Sequence, residues 1–303
     1  RDETAVVTQD RPPIHCSKRD LLITISLTGG SEKMALIGYP LTESEERARR
    51  RVALALDFPI IEQAIHTAED LGDRVGMFEV GTELHVASER KGGGIVRRLH
   101  SYSPDGSANV LLDLKLHDTP QTVRKASFQI AVPGVSAFNV HVEGGEAMAH
   151  AALEGAEQGA GVYRIPRPKV IGITVLTSLD DEDLEQDGHG MKYEELVHHR
   201  TALAKKWGLD GVVCPAKLAG LMEAEHGSDL LYVGLGIKWE EPGAVLHGEG
   251  HKQLYTIDRA AAESTSALFV IGSAITKAPD PRARAYQILQ LMAPHCRDHP
   301  GKA

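Results

Sequence analysis

The stretch Asn109-Val110-Leu111-Leu112-Asp113-Leu114-Lys115, running on through Leu116-His117-Asp118-Thr119 into a helical pattern over 120–131, decides the reading of the chain. An apolar run of strand length that turns ionisable at its end and passes into a helix is one βα unit. The unit recurs. Strands are expected at 52–57, 76–81, 109–115, 137–141, 170–174, 211–214, 230–235 and 268–272, with helical segments such as 60–71, 146–157, 193–207 and 281–292 between them. Eight such units predict an α/β protein built as a single (β/α)8 TIM barrel, with a doubly wound open sheet as the alternative. No Gly-x-Gly-x-x-Gly follows the first strand, so a dinucleotide fold gains no support.

Composition bounds the function. With 303 residues, 42% hydrophobic and 25% charged, the chain is neither disordered nor collagen-like. A net charge of −9 argues against a partner that is a nucleic-acid polymer, while leaving an anionic small molecule open. Cys16, Cys214 and Cys296 make no disulfide framework, which favours a reduced, cytoplasmic setting. No apolar run reaches the roughly 18 residues of a membrane span. The acidic Asp2 and Glu3 and the Pro12-Pro13 pair fit no zone of a signal peptide. Residues 1–45 are expected to be an N-terminal extension and 46–303 the barrel.

A barrel places its chemistry at the C-terminal ends of its strands. Those ends carry Asp57, Glu79, Asp113, Lys115, His141, Thr174 and Lys238. Asp113 and Lys115 share a strand face because side chains alternate with period two, and Asp118 follows in the loop. A lysine held between two carboxylates stays protonated. It can then deliver a proton to the carbanion left when carbon dioxide or a carbonyl fragment departs. An interior salt-bridge cluster is the structural alternative.

Asp113-x-Lys115-x-x-Asp118 resembles the active-site motif of the orotidine 5′-monophosphate decarboxylase superfamily. The resemblance extends over residues 51–292, with an overall likeness to the bacterial orotidylate decarboxylases. It also rests on Leu54-Ala55-Leu56-Asp57-Phe58-Pro59, on Asn139-Val140-His141 with Gly144-Gly145, and on Thr174-Val175-Leu176-Thr177-Ser178. It implies a barrel acting as a homodimer, in which Asp118 reaches into the partner's site. Asp57 would bind substrate hydroxyls and Ser178 the pyrimidine. Thr119, His141, Lys238 and Ser273 join them as expected substrate contacts.

The chain departs from that pattern at several points. The family has a lysine where this chain has Glu79, in Phe78-Glu79-Val80-Gly81-Thr82. Gly-Ile-Arg-Pro becomes Gly236-Ile237-Lys238-Trp239, a phosphate-contacting glutamine is replaced near His251, and the phosphate-gripping arginine becomes Ser273. Glu79 has a counterpart in the hexulose-phosphate synthase and keto-gulonate-phosphate decarboxylase branch. That resemblance makes Glu79 and Asp113 candidate ligands for Mg²⁺, whose preference is for hard oxygens. The expected function is a divergent carbon–carbon lyase, a decarboxylase or aldol-type enzyme, acting on a nucleotide-like or sugar-phosphate-like small molecule with Lys115 as proton donor. The alternatives are an orotidine 5′-monophosphate decarboxylase of pyrimidine biosynthesis and a non-catalytic ligand-binding barrel.

Other features read more plainly. Glu143 is expected to be a solvated loop charge, Cys214 a buried inert thiol, and the 91–94 Lys-Gly-Gly-Gly a turn. His198 and His199 occupy adjacent helical positions that do not face each other, which speaks against their forming a metal site as a pair. The acidic stretch 180–187 is expected to be a loop.

Overall fold

The computed structural model describes residues 40–102, 109–239 and 252–296. The chain divides into Arg1–Glu43 and Ser44–Ala303, and the barrel lies in the second unit. Its strands are β1 (Val52–Ala55), β2 (Met77–Gly81), β3 (Val110–Leu116), β4 (Val135–His141), β5 (Lys169–Ile173), β6 (Gly211–Pro215) and β7 (Leu231–Leu235). A small parallel pair follows, β8 (Ile237–Lys238) with β9 (Tyr255–Thr256), and then β10 (Leu268–Ile271). Strands β1 to β7 and β10 close into a parallel eight-stranded barrel in which β1 pairs with both β2 and β10. The TIM barrel expectation holds, and every expected barrel strand lies within two residues of its expected bounds.

Alternation fills the interior. Ala53 and Ala55, Ile171 and Ile173, and Leu268 and Val270 point inward with Leu111, Ala137, Val213 and Val233 into one buried cluster. Closure is reinforced by a buried side chain, Arg51, just before β1. Its guanidinium donates to the carbonyls of Ala267 (3.0 Å) and Ser264 (2.7 Å), and the Phe269 amide donates back to the Arg51 carbonyl at 2.8 Å. An always-charged fork that finds two carbonyl acceptors is well satisfied although buried.

The helices form the outer layer. Glu146–Tyr163 runs six residues beyond its expected end and packs closely on Pro120–Ile130. Gly155 and Gly159 permit this approach, since a Cβ on either would meet the carbonyl oxygen of Arg124 (2.1 Å) or Phe128 (2.4 Å). The 180–187 stretch is not a loop: Asp181–Gln186 is helical, with Asp180 and Asp183 forming a reciprocal capping box. Lys252 anchors it through both carboxylates, at 2.7 and 2.6 Å. The 91–94 turn is as expected, with its three glycines at positive φ. No helix among the described residues is long and apolar enough to cross a membrane.

Replacing Gly155 by Val should lower unfolding stability by about 1–3 kcal/mol, because the Arg124 backbone cannot move aside as a side chain would. A urea titration should show a lower midpoint at unchanged slope.

Candidate active site

The alternation that fills the barrel also arms its mouth. Two positions beyond Ala55 stands Asp57, two beyond Met77 stands Glu79, and two beyond Leu111 stands Asp113. Three carboxylates therefore stand near the mouth on adjacent strands, with Glu79 level with Ala55 and Leu111 and Asp113 one step higher, level with Gly81. The Asp57 carboxylate lies against Gly81 and Gly272.

Beyond Asp113 the strand leaves its register. Leu112 pairs with Phe138 but Leu116 pairs with Val140, so four steps of β3 match two of β4. Lys115 lies in this bulge at φ 50°, a left-handed conformation that costs a non-glycine residue about 1–3 kcal/mol and persists only where surroundings enforce it. Asn139 does so. Its Oδ1 accepts from the Lys115 backbone amide at 2.8 Å, and its Nδ2 donates to Asp113 Oδ1. The Lys115 ammonium pairs with the other oxygen, Asp113 Oδ2. One buried amide thus fixes both the backbone and the ion pair.

These residues line a cavity of about 580 Å³. Among the expected site residues, Asp57, Glu79, Asp113, Lys115, Ser178, Lys238 and Ser273 all border it. Lys277, absent from the expectations, borders it too, four residues beyond Ser273. Asp118 and Thr119 do not: both are exposed at the start of helix Pro120–Ile130, where Asp118 accepts from the Thr119 amide at 2.6 Å. His141 lines a neighbouring cavity of about 410 Å³ and stacks on His117 at 5.2 Å. Burial, then the nearby His117, lowers its pKa. Thr174 lines that second cavity as well. Glu143 is not simply a solvated charge, for buried Arg200 grips it at 3.0 Å while donating to the Thr174 carbonyl. His251 and Cys16 lie outside the described residues. The Cys214 thiol is pushed up to about 12 by burial, which fits an inert thiol.

Asn139 had a signal in the sequence, a polar residue in the apolar alternation Ala137, Asn139, His141. Lys277 had none, since only the fold brings the turn after β10 to the mouth.

Glu79 is 7% exposed and holds its proton well above the usual carboxylate range. Burial is the main cause, followed by the charges of Asp113 and Asp57 and a hydrogen bond with Asp113. This bears on magnesium. The donor atoms are of the right hard kind. However, both Asp113 oxygens already accept from Lys115 and Asn139, and the same carboxylate, with burial, pushes the Glu79 pKa up and disfavours the ionised form that a cation needs. The arrangement fits a proton better than a divalent cation.

Because the folded state retains a proton that the unfolded chain releases near pH 4.3, Glu79 stabilises fully only below that pH and loses its contribution as pH rises toward the elevated value. Glu79→Gln keeps a donor for Asp113 and removes the titration. Thermal unfolding should show the stability of the variant relative to the parent higher at pH 8 than at pH 4.5.

Comparison with known proteins agrees with this geometry. Residues 50–288 match the Orotidine 5'-phosphate decarboxylase / HUMPS family. The chain is 37% identical over 251 residues to orotidine 5'-phosphate decarboxylase of Geobacter sulfurreducens, covering 82% of this chain and 99% of that protein. It is 36% identical to the Rhodospirillum rubrum protein of the same name, across 77% and 90% of the two chains. The crystal structure of orotidine 5'-phosphate decarboxylase from Lactobacillus acidophilus superposes with a TM-score of 0.65 at 30% identity, covering 80% of this chain and 99% of that one. With a matching barrel and a matched span that holds Asp113, Lys115 and Asp118, the chain belongs to the Orotidine 5'-phosphate decarboxylase / HUMPS family.

Proposed function

We propose that the protein is a carboxy-lyase that decarboxylates orotidine 5′-monophosphate. The observation that carries this reading is the braced Asp113–Lys115 pair at the mouth of a cavity large enough for a nucleotide. The lyase class agrees with the relatives, whose shared name is that of a decarboxylase. In the step itself the bond between ring carbon and carboxylate breaks and carbon dioxide leaves. The bonding pair stays on the ring carbon, and the Lys115 Nζ–H protonates it. Solvent then restores the lysine proton. Asp113 and Asn139 aim the ammonium, so its position is set before substrate arrives.

The family's lysine is replaced by Glu79, which at first sight reverses a charge. The raised pKa of Glu79 favours its protonated form, in which the change is from a cation to a neutral donor. A neutral acid adds no repulsion against a substrate carboxylate. At the other end, Lys238 and Lys277 border the cavity with Ser273 and supply positive charge for a phosphate where the family's arginine is missing. A lysine offers a point charge in place of a bidentate fork, so weaker phosphate binding is expected. Asp118 and Thr119, exposed on their own barrel, are assigned to the site of a second copy in a homodimer.

Loss of the pyrimidine carboxylate should be visible by absorbance with orotidine 5′-monophosphate and unaffected by EDTA. Lys115→Ala should lower kcat by about 10²–10⁴-fold in a folded protein; undiminished turnover removes Lys115 from the mechanism. Absence of turnover by the parent chain overturns this reading and points to another carboxylated or phosphorylated substrate. Lys277→Ala should raise KM about tenfold or more with a smaller change in kcat, the pattern of lost ground-state binding.

A further inference from the structure

The helices on either side of β6 bring together three metal-ligand side chains that the catalytic site does not use. His198 lies in Tyr193–Lys206, while Glu225 and His226 end Ala216–His226. One ligand atom from each lies within 4.8 Å of the other two. His198 Nε2 is 2.6 Å from Glu225 Oε2, and the two imidazoles are 5.3 Å apart with their planes tilted by 55°. His226 Nε2 is sealed from solvent and has no hydrogen-bond partner among the described residues. Buried polar atoms in folded proteins almost always have one.

Local structure explains how sequence neighbours converge. Side chains at consecutive positions of a continuous helix point about 100° apart. His226, however, is the last helical residue, and Gly227 at φ 86° takes the chain out of the helix. His199 is exposed and takes no part. The Lys205 ammonium, the nearby cation, donates to the His226 carbonyl.

We propose that His198, Glu225 and His226 bind a divalent transition-metal ion of the zinc type, which joins the two helices. Two imidazoles and a carboxylate match zinc, whereas magnesium and calcium take oxygen donors. The ion replaces the proton between His198 and Glu225 and gives His226 its partner. Three protein ligands leave a further position for water. The helix after β6 ends at the face of the barrel opposite the strand C-termini, so the site is independent of decarboxylation.

The test uses the full, tag-free chain, stripped with EDTA and titrated calorimetrically with zinc chloride. The expected result is one zinc per chain, with affinity lowered at least tenfold in His226→Gln and in His198→Gln and unchanged in Glu79→Gln. Orotidine 5′-monophosphate kinetics should be unchanged in His226→Gln. Cobalt loading of the parent chain gives a reading that needs no variant: an intense four- or five-coordinate visible spectrum is expected, and a weak six-coordinate one overturns the site. Absence of stoichiometric zinc, or zinc bound equally well by both histidine variants with native circular dichroism, also overturns it.

Discussion

Asn139 holds β3 in a conformation that the strand would not otherwise keep. Its amide accepts from the backbone of Lys115 and donates to the carboxylate of Asp113, so one side chain stabilises both halves of the ion pair. A carboxamide suits this role because it offers an acceptor and a donor side by side. Without the bulge, a regular strand would carry Lys115 on in register with β4. The unusual φ of Lys115 is therefore a cost met by the surrounding ladder, and it places the ammonium where the barrel opens.

Electrostatics at the mouth follow from that placement. Three carboxylates and three lysines border a partly enclosed cavity, and among the acids Glu79 is buried close to the charges of both Asp113 and Asp57. Burial and those two neighbours raise the Glu79 pKa well above the usual carboxylate range, which favours its neutral form. The Asp113 charge is matched by Lys115 at close range. A substitution that looks drastic in the sequence is thus softened by its surroundings.

The barrel was legible because its signal is periodic. Inward-facing apolar residues alternate along short runs, and the same alternation carries Asp57, Glu79 and Asp113 to the mouth. Asp113 and Lys115 were legible for the same reason, although the bulge between Leu112 and Leu116 was not, since it depends on a hydrogen bond from another strand. The acidic 180–187 stretch was misread as loop because its helix is held by capping and by Lys252, not by an apolar stripe. Lys277 and Arg200 were missed because their roles arise only when distant segments meet. Asp118, Thr119 and His141 were expected at the substrate, and within one chain they do not border the cavity that holds Lys115.

Arg51 has a consequence for how the protein comes to be made. The carbonyl it grips at Ala267 lies 216 residues further along the chain. During synthesis at about 5–20 residues per second, β1 leaves the ribosome roughly ten to forty seconds before β10 exists to pair with it. Throughout that interval the first strand has an unpaired edge, the kind of surface that recruits wrong partners. The guanidinium beside it stays with water as its acceptor until the Ser264 and Ala267 carbonyls arrive just ahead of the last strand. The growing barrel is therefore an open sheet at both ends, and only its final stretch converts a nascent chain at risk of aggregation into a closed one.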